Sequence, residues 1–177
     1  IVDTAKKKLL ISQTGADKDL SDLVYNFLLF NGIPAKEIIY SNCDESVSRI
    51  PSDVSIYDYL RDFFVNSYSD QKIHVVFITS QHITCSFGTM SEIGAAWITK
   101  ADHRIINVDG FRPQKPLDDS VVWQTTMIDK DGNISMTKLN ADLFCEKIES
   151  LCTKLGYTPK DRKTNMTRLG STIKIVK

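Results

Sequence analysis

The strongest pattern along the chain is KIHVVFITS at 72–80, a nearly unbroken apolar run of the kind a strand shows when both of its faces are covered. A shorter run of the same character ends KKKLLIS at 6–12, and EIIYS at 37–41, RIINV at 104–108 and VVWQTTMI at 121–128 complete a set of five predicted strands. Between them the period changes to that of a helix. ADKDLSDLVYNFLLFNG carries Leu20, Leu23, Val24, Phe27 and Leu28 on one face, with Asp17 placed as N-cap and Gly32 as the stop. Asp53 is placed to cap a second helix, VSIYDYLRDFFVNS at 54–67, whose apolar stripe is Ile56, Tyr57, Leu60, Phe63 and Phe64. TMSEIGAAWITKA predicts a helix over 89–101, in which Gly94, Ala95 and Ala96 allow close approach to a sheet and Trp97 is expected to pack. LNADLFCEKIESLCTKLG at 139–156 predicts a long amphipathic helix with Leu143, Phe144, Ile148, Leu151 and Leu155 inward and Gly156 at its end. The intervening stretches NCDESVSRIPS, FRPQKPLDDS and DKDGN read as loops and a turn.

Strand and helix therefore alternate, which predicts a doubly wound α/β domain: a flavodoxin-like, five-stranded, mostly parallel sheet of order 2-1-3-4-5 with helices on both faces. One such domain is expected over 1–159, followed at 160–177 by a basic tail or extension. That tail holds Lys160, Arg162, Lys163, Arg168, Lys174 and Lys177 against Asp161, and reads as a solvated segment.

In sheets of this order a ligand binds beyond the carboxyl ends of the strands, where the crossovers diverge, here between the first and third strands. Ser12, Gln13 and Thr14 leave the first strand; Thr79, Ser80 and Gln81 leave the third. Glu92 is expected in the first turn of the following helix, pointing toward the same crevice. Two readings of that acid stand side by side. A carboxylate in a first turn favours the helix dipole by about 0.3–1 kcal/mol. A carboxylate in a polar cleft also grips ribose hydroxyls and stabilises an oxocarbenium-like centre, the chemistry of glycoside cleavage.

Composition narrows the partners. The 177 residues carry 22 Lys+Arg and 22 Asp+Glu, and a net charge of zero argues against a protein that grips a nucleic acid backbone directly. Cys43, Cys85, Cys145 and Cys152 form no CxxC pair, and His74, His82 and His103 show no ligand spacing, so no metal is expected. Cys145 and Cys152, seven apart on one helical face, read as core thiols of a cytoplasmic protein. No apolar run is long enough to cross a membrane, and a chain that starts at Ile1 reads as a module of something longer.

Three stretches together resemble a TIR (Toll/interleukin-1 receptor) domain of bacterial type. LLISQTGADKDL is similar to the first conserved strand end and its polar loop. IIYSNCDESVSRIPSDVSIYDYL is similar to the second strand and the long BB loop, with Ile50-Pro51 in the characteristic place. ITSQHITCSFGTMSEIGAAW is similar to the third strand and the Ser-x-x-Cys-x-x-Glu helix start, with Ser86 and Glu92 matching and Thr89 where cysteine is usual. Gln13 stands where histidine is common, and Gly88 where many members carry tryptophan.

The resemblance implies the fold already derived. It also implies an enzyme that cleaves NAD at the nicotinamide–ribose bond, of the kind that serves bacterial antiphage defence or virulence through ADP-ribose-type signals. NAD is then the substrate, and no cofactor is needed. Glu92 would be catalytic; Ser12, Gln13, Thr14, Ser80 and Ser86 would line the site, and Asp44, Arg49, Ile50 and Pro51 would close over it. Homotypic self-association with other TIR domains is implied as well, with room for a fused or partner sensor domain. The same family contains assembly modules without catalysis. FGTMSEIGAAW is also similar to the glutamate run of nucleoside 2-deoxyribosyltransferases, which likewise act at an anomeric carbon.

Overall fold

The computed structural model describes residues 7–65, 73–117 and 123–177. The first residues of the strands expected at 6–12, 72–80 and 121–128, the end of the helix expected at 54–67 and the end of the loop at 111–120 lie outside the described residues.

Strands β1 (Leu9–Ser12), β2 (Ile38–Ile39), β3 (His74–Thr79), β4 (Asp102–Val108), β5 (Thr125–Ile128), β6 (Ile134–Thr137) and β7 (Lys174–Val176) form one sheet. Its order is β2-β1-β3-β4-β5-β6-β7, parallel throughout except where β5 and β6 pair antiparallel. The expected mostly parallel α/β sheet is present, but among the described residues it has seven strands rather than five. The additions lie on the β5 side. DKDGN is a hairpin turn in which Asp129 accepts from the backbone of Asp131 and Asn133 and Gly132 sits at φ +82. β6 follows it, a four-residue strand of which only Met136 is buried, too short and too polar to be read from periodicity.

Helices α1 (Lys18–Phe30), α4 (Lys138–Lys154) and α5 (Arg162–Gly170) share one apolar cluster with Leu9, Ile11, Val76, Ile78, Ile106 and Val108. Helices α2 (Ile56–Val65) and α3 (Phe87–Thr99) share the other with Leu10, Val75, Phe77 and Ile105. The two sets alternate along β1, β3 and β4, so each central strand feeds both layers. All six residues of β3 are buried, as its apolar run predicts. Cys145 and Cys152 are buried thiols of the first cluster. Among the described residues no helix is long and apolar enough to cross a membrane.

Several local expectations are corrected. Asp17 does not cap α1 with its side chain; that carboxylate is used elsewhere, as described below. Ser55, not Asp53, accepts at the start of α2, from the Asp58 amide. Trp97 does not pack and is 67% exposed. The segment expected as a solvated basic tail is α5 and β7. Lys160, Lys163, Arg168, Lys174 and Lys177 are exposed as expected, but Arg162 grips Glu149 through Nε and Nη2 at 2.8–3.0 Å and Asp142 through Nη1 at 2.8 Å. Beneath it Asn165, fully buried, donates to Glu149 and to the Lys160 carbonyl and accepts from Asn31 of α1. The Asn31 side-chain oxygen in turn accepts the Lys160 amide.

This buried amide network makes the C-terminal segment part of the domain. Asn165→Ala removes one hydrogen bond each from Asn31, Glu149 and the Lys160 carbonyl, leaves a buried void, and is expected to cost about 1–3 kcal/mol, read as a lower urea midpoint at unchanged slope.

Candidate functional site

The carboxyl ends of the central strands carry polar residues where the apolar alternation would otherwise continue. On the face covered by α2 and α3 these are Ser12 after Leu10, Thr79 after Phe77 and Asn107 after Ile105, all three buried. Thr79 and Asn107 are register partners across β3 and β4.

α3 reaches this strip with Glu92. Ser86 is its N-cap, accepting from the Thr89 amide at 3.2 Å and the Thr89 hydroxyl at 2.8 Å. The helix therefore begins at Phe87, two residues earlier than expected, and Glu92 lies in the second turn rather than the first. No acid occupies the first turn. The dipole reading loses its basis, because that effect fades beyond the terminal turn.

Glu92 is half-buried, and its Oε2 accepts a hydrogen bond from Ser12 Oγ at the end of β1. Among the described residues no ion pair involves it. Burial pushes the carboxyl up to about 7, and the Ser12 hydrogen bond acts in the opposite sense. A carboxyl that titrates near neutrality with no cation beside it is the kind of group enzymes use as base or charge stabiliser.

One side of Glu92 borders a cavity of about 340 Å³ between the two helices. Tyr57, Leu60 and Phe64 come from α2, and Gly88, Ala95 and Ile98 from α3; the exposed Arg61 stands at its rim. The spacing 88, 92, 95 is one face of a helix, so the acid and the groove wall belong to the same stripe. The stripe was legible, but sequence reasoning gave the whole apolar face of α2 to the core and missed the groove.

The other predicted residues divide. Thr14 and Ser80 each donate to Asp17 Oδ2 at 2.7 Å, which ties the exits of β1 and β3 together through a buried carboxylate. Ser80 and Asp17 border a different cleft, of about 570 Å³, together with Val108 and Asp129. Gln13 is half-buried, and its Oε1 is buried without a hydrogen-bond partner, as are Thr79 Oγ1 and Asn107 Oδ1. Asp44 is exposed, 4.0 Å from Lys18. Arg49 and Pro51 are exposed, Ile50 is buried in the α2–α3 cluster, and none of the four lines the groove at Glu92. Ser86 acts as the cap of α3. The front of the 40–50 loop is held down by Lys7 Nζ, which donates to the Ile38 and Val47 carbonyls at 2.9 and 2.6 Å, and by Ser48, which donates to the Ala35 carbonyl. Among the described residues no group of three or more His, Cys, Asp or Glu could hold a metal ion.

No protein-family model matches the chain. It is similar to the uncharacterized protein YddK of Bacillus subtilis (strain 168), 24% identical over 159 residues. That match takes in 89% of this chain and 53% of YddK, so the chain spans about half the length of this curated relative.

A carboxyl raised from its ordinary value near 4.5 makes the folded state bind its proton more tightly than the unfolded chain. Its contribution to stability is thus fullest below pH 4.5 and falls as pH rises through about 7. Glu92→Gln keeps the shape and an acceptor for Ser12. The variant is expected to match the parent near pH 4 and to exceed it above pH 7 by about 1–2 kcal/mol, after allowing for partial exposure, in urea melts across that range.

Proposed function

We propose that the chain is an NAD glycohydrolase of TIR type, cleaving the nicotinamide–ribose bond with Glu92 as the central residue. The observation that carries this reading is half-buried Glu92, its carboxyl hydrogen-bonded to Ser12 at the end of β1 and unpaired with any cation among the described residues, with Glu92 itself among the residues that line an apolar groove. The flavodoxin-like order of the first five sheet positions supports it as well, because it brings the end of β1 and α3 to one crevice.

The chemistry needs few groups. The bond from ribose C1′ to the ring nitrogen breaks with its electron pair passing to nitrogen, so nicotinamide leaves neutral and no acid has to protonate it. Positive charge develops on C1′ and O4′, where ionised Glu92 stabilises it. A water oxygen then bonds to C1′ and gives up one proton, first to Glu92 and then to solvent. The balance is NAD plus water to ADP-ribose, nicotinamide and a proton. Ser12 acts through Glu92 as a positioning residue.

A second reading, an assembly module, draws support from a different observation. Phe87, Met90, Trp97 and Ile98 are all exposed on α3 at helical spacing. Such a stripe suits self-association with other TIR domains, which is compatible with catalysis in the assembled form.

Nicotinamide release from NAD, measured on the protein at high concentration with a crowding agent, separates the readings. Glu92→Ala and Glu92→Gln are each expected to lose at least ~100-fold in rate. Release that survives these changes removes Glu92 from the mechanism, and no release from any assembled form leaves the module reading. Exchange of a free base onto a deoxynucleoside would instead point to the transferase relatives.

The ionised form is the active one, so kcat/KM is expected to rise about tenfold per pH unit below the Glu92 value and to level above about 7. Ser12→Ala removes the bond that holds this carboxyl down, and the rise should move to higher pH. A fall in rate at an unmoved pH profile would reduce Ser12 to packing.

A further inference from the structure

We infer that Asp17 is a positioning residue for Glu92: it clamps the end of β1 to the segment that leads into α3, and so sets the Ser12–Glu92 hydrogen bond. The effect on turnover rests on the reading of Glu92 given above; the clamp itself does not.

The need for a clamp comes from the sheet. The β1–β3 ladder ends with Ser12 beside Phe77, while β3 runs on through Ile78 and Thr79 with β4 as its partner. Among the described residues no strand pairing joins the two exits past Ser12, and there they diverge into their crossovers. Asp17 bridges that gap. Its Oδ2 accepts from Thr14 Oγ1, just after β1, and from Ser80 Oγ, just after β3, both at 2.7 Å. Asp17 is buried and held in place by its own backbone. Its amide donates to the Thr14 carbonyl at 2.9 Å, and its carbonyl accepts from Ser21 Oγ of α1 at 2.8 Å.

What Ser80 carries is the start of α3. It caps the short 3-10 helix Gln81–Cys85 by accepting from the His82 amide at 3.2 Å, and that turn passes directly into Ser86, the cap of α3. α3 itself is lightly anchored, with Thr89, Ile93 and Ala96 buried of its thirteen residues. The connections close a ring. Thr14 follows Ser12 along the chain, Asp17 joins Thr14 to Ser80, the two helical segments lead from Ser80 to Glu92, and Glu92 returns to Ser12 by its hydrogen bond. Burial and that hydrogen bond are the influences on the Glu92 carboxyl, and no charged side chain is among them. Arg61 of α2 borders the same groove but is exposed and paired with Asp58 and Asp62. Opening the ring at Asp17 therefore leaves Glu92 buried while loosening the one contact that stabilises its ionised form.

The carbon-13 signal of the Glu92 carboxyl, assigned by its loss in Glu92→Gln, gives the titration midpoint without any substrate. Asp17→Ala, Thr14→Val and Ser80→Ala each open the clamp and are expected to raise that midpoint by about one pH unit, in the same direction as Ser12→Ala. Thr14→Val is nearly isosteric, so it reports even where Asp17→Ala fails to fold. Asp17→Asn keeps an oxygen for both hydroxyls and is expected to hold the midpoint near the parent's. The sign separates this route from a charge effect: like-charge repulsion from Asp17 would make both Asp17 variants titrate lower, and that result overturns the clamp. So does a midpoint unmoved in Asp17→Ala and Thr14→Val. On NAD, the pH at which kcat/KM levels is expected to move with the midpoint, variant by variant. Midpoints that move as stated in a protein that releases no nicotinamide keep the clamp and remove the reaction. Release that needs Glu92 but has the same pH profile in every clamp variant overturns the clamp and keeps the reaction.

Discussion

The structure depends on the double coverage of its central strands. β1, β3 and β4 have apolar side chains on both faces because helices lie on both faces, and neither layer is complete without the alternate residues of the same strands. This constraint holds only as far as the helices reach. At the carboxyl ends, where chains leave the sheet for the crossovers, the positions that would extend the α2–α3 layer become Ser12, Thr79 and Asn107. The change from apolar to polar therefore falls near the carboxyl ends of three adjacent strands, with Thr79 level with Asn107 and Ser12 level with Phe77, and α3 places its one carboxylate against Ser12.

Such an edge lowers stability in a folded domain. Buried polar atoms are nearly always paired, and a carboxyl pushed toward 7 reports a charged form poorly accommodated by its surroundings. Gln13 Oε1, Thr79 Oγ1 and Asn107 Oδ1 lack hydrogen-bond partners, while Asp17 is tied to Thr14 and Ser80, and Asn31, Asn165 and Arg162 belong to a satisfied network. The three unpartnered atoms thus lie at or just past the carboxyl ends of β1, β3 and β4, near the tied residues Asp17, Thr14 and Ser80.

The α/β class, the crossing of chain between β1 and β3, and the approach of Glu92 to the end of the first strand were legible in the sequence. They follow from long apolar runs and from helix periods that no tertiary contact needs to override. What was not legible depended on weaker or longer-range signals. β6 and β7 are four and three residues long, too short for periodicity to separate strand from loop. The basic charges of 160–177 suggested solvent because Arg162 meets Glu149 and Asp142 only after α4 and α5 pack together. Asp17 read as a cap by position, yet its partner Ser80 is 63 residues away. The start of α3 was missed because Ser86 and Thr89 cap it with hydroxyls, a signal that any serine before a helix offers.

That small displacement of a helix start has the largest chemical consequence. With Glu92 in the first turn, the N-terminal dipole would stabilise its charge and hold its affinity for protons down. One turn further along, the dipole no longer compensates for burial, and among the described residues the remaining aid is a neutral hydroxyl from Ser12. The carboxylate is left with charge unbalanced inside the fold and an apolar groove beside it. Under the proposed function, a substrate that develops positive charge at that point supplies the missing counter-charge only as its bond breaks. An acid neutralised by a fixed lysine or arginine would have had less to gain from the transition state than from its own folded neighbours.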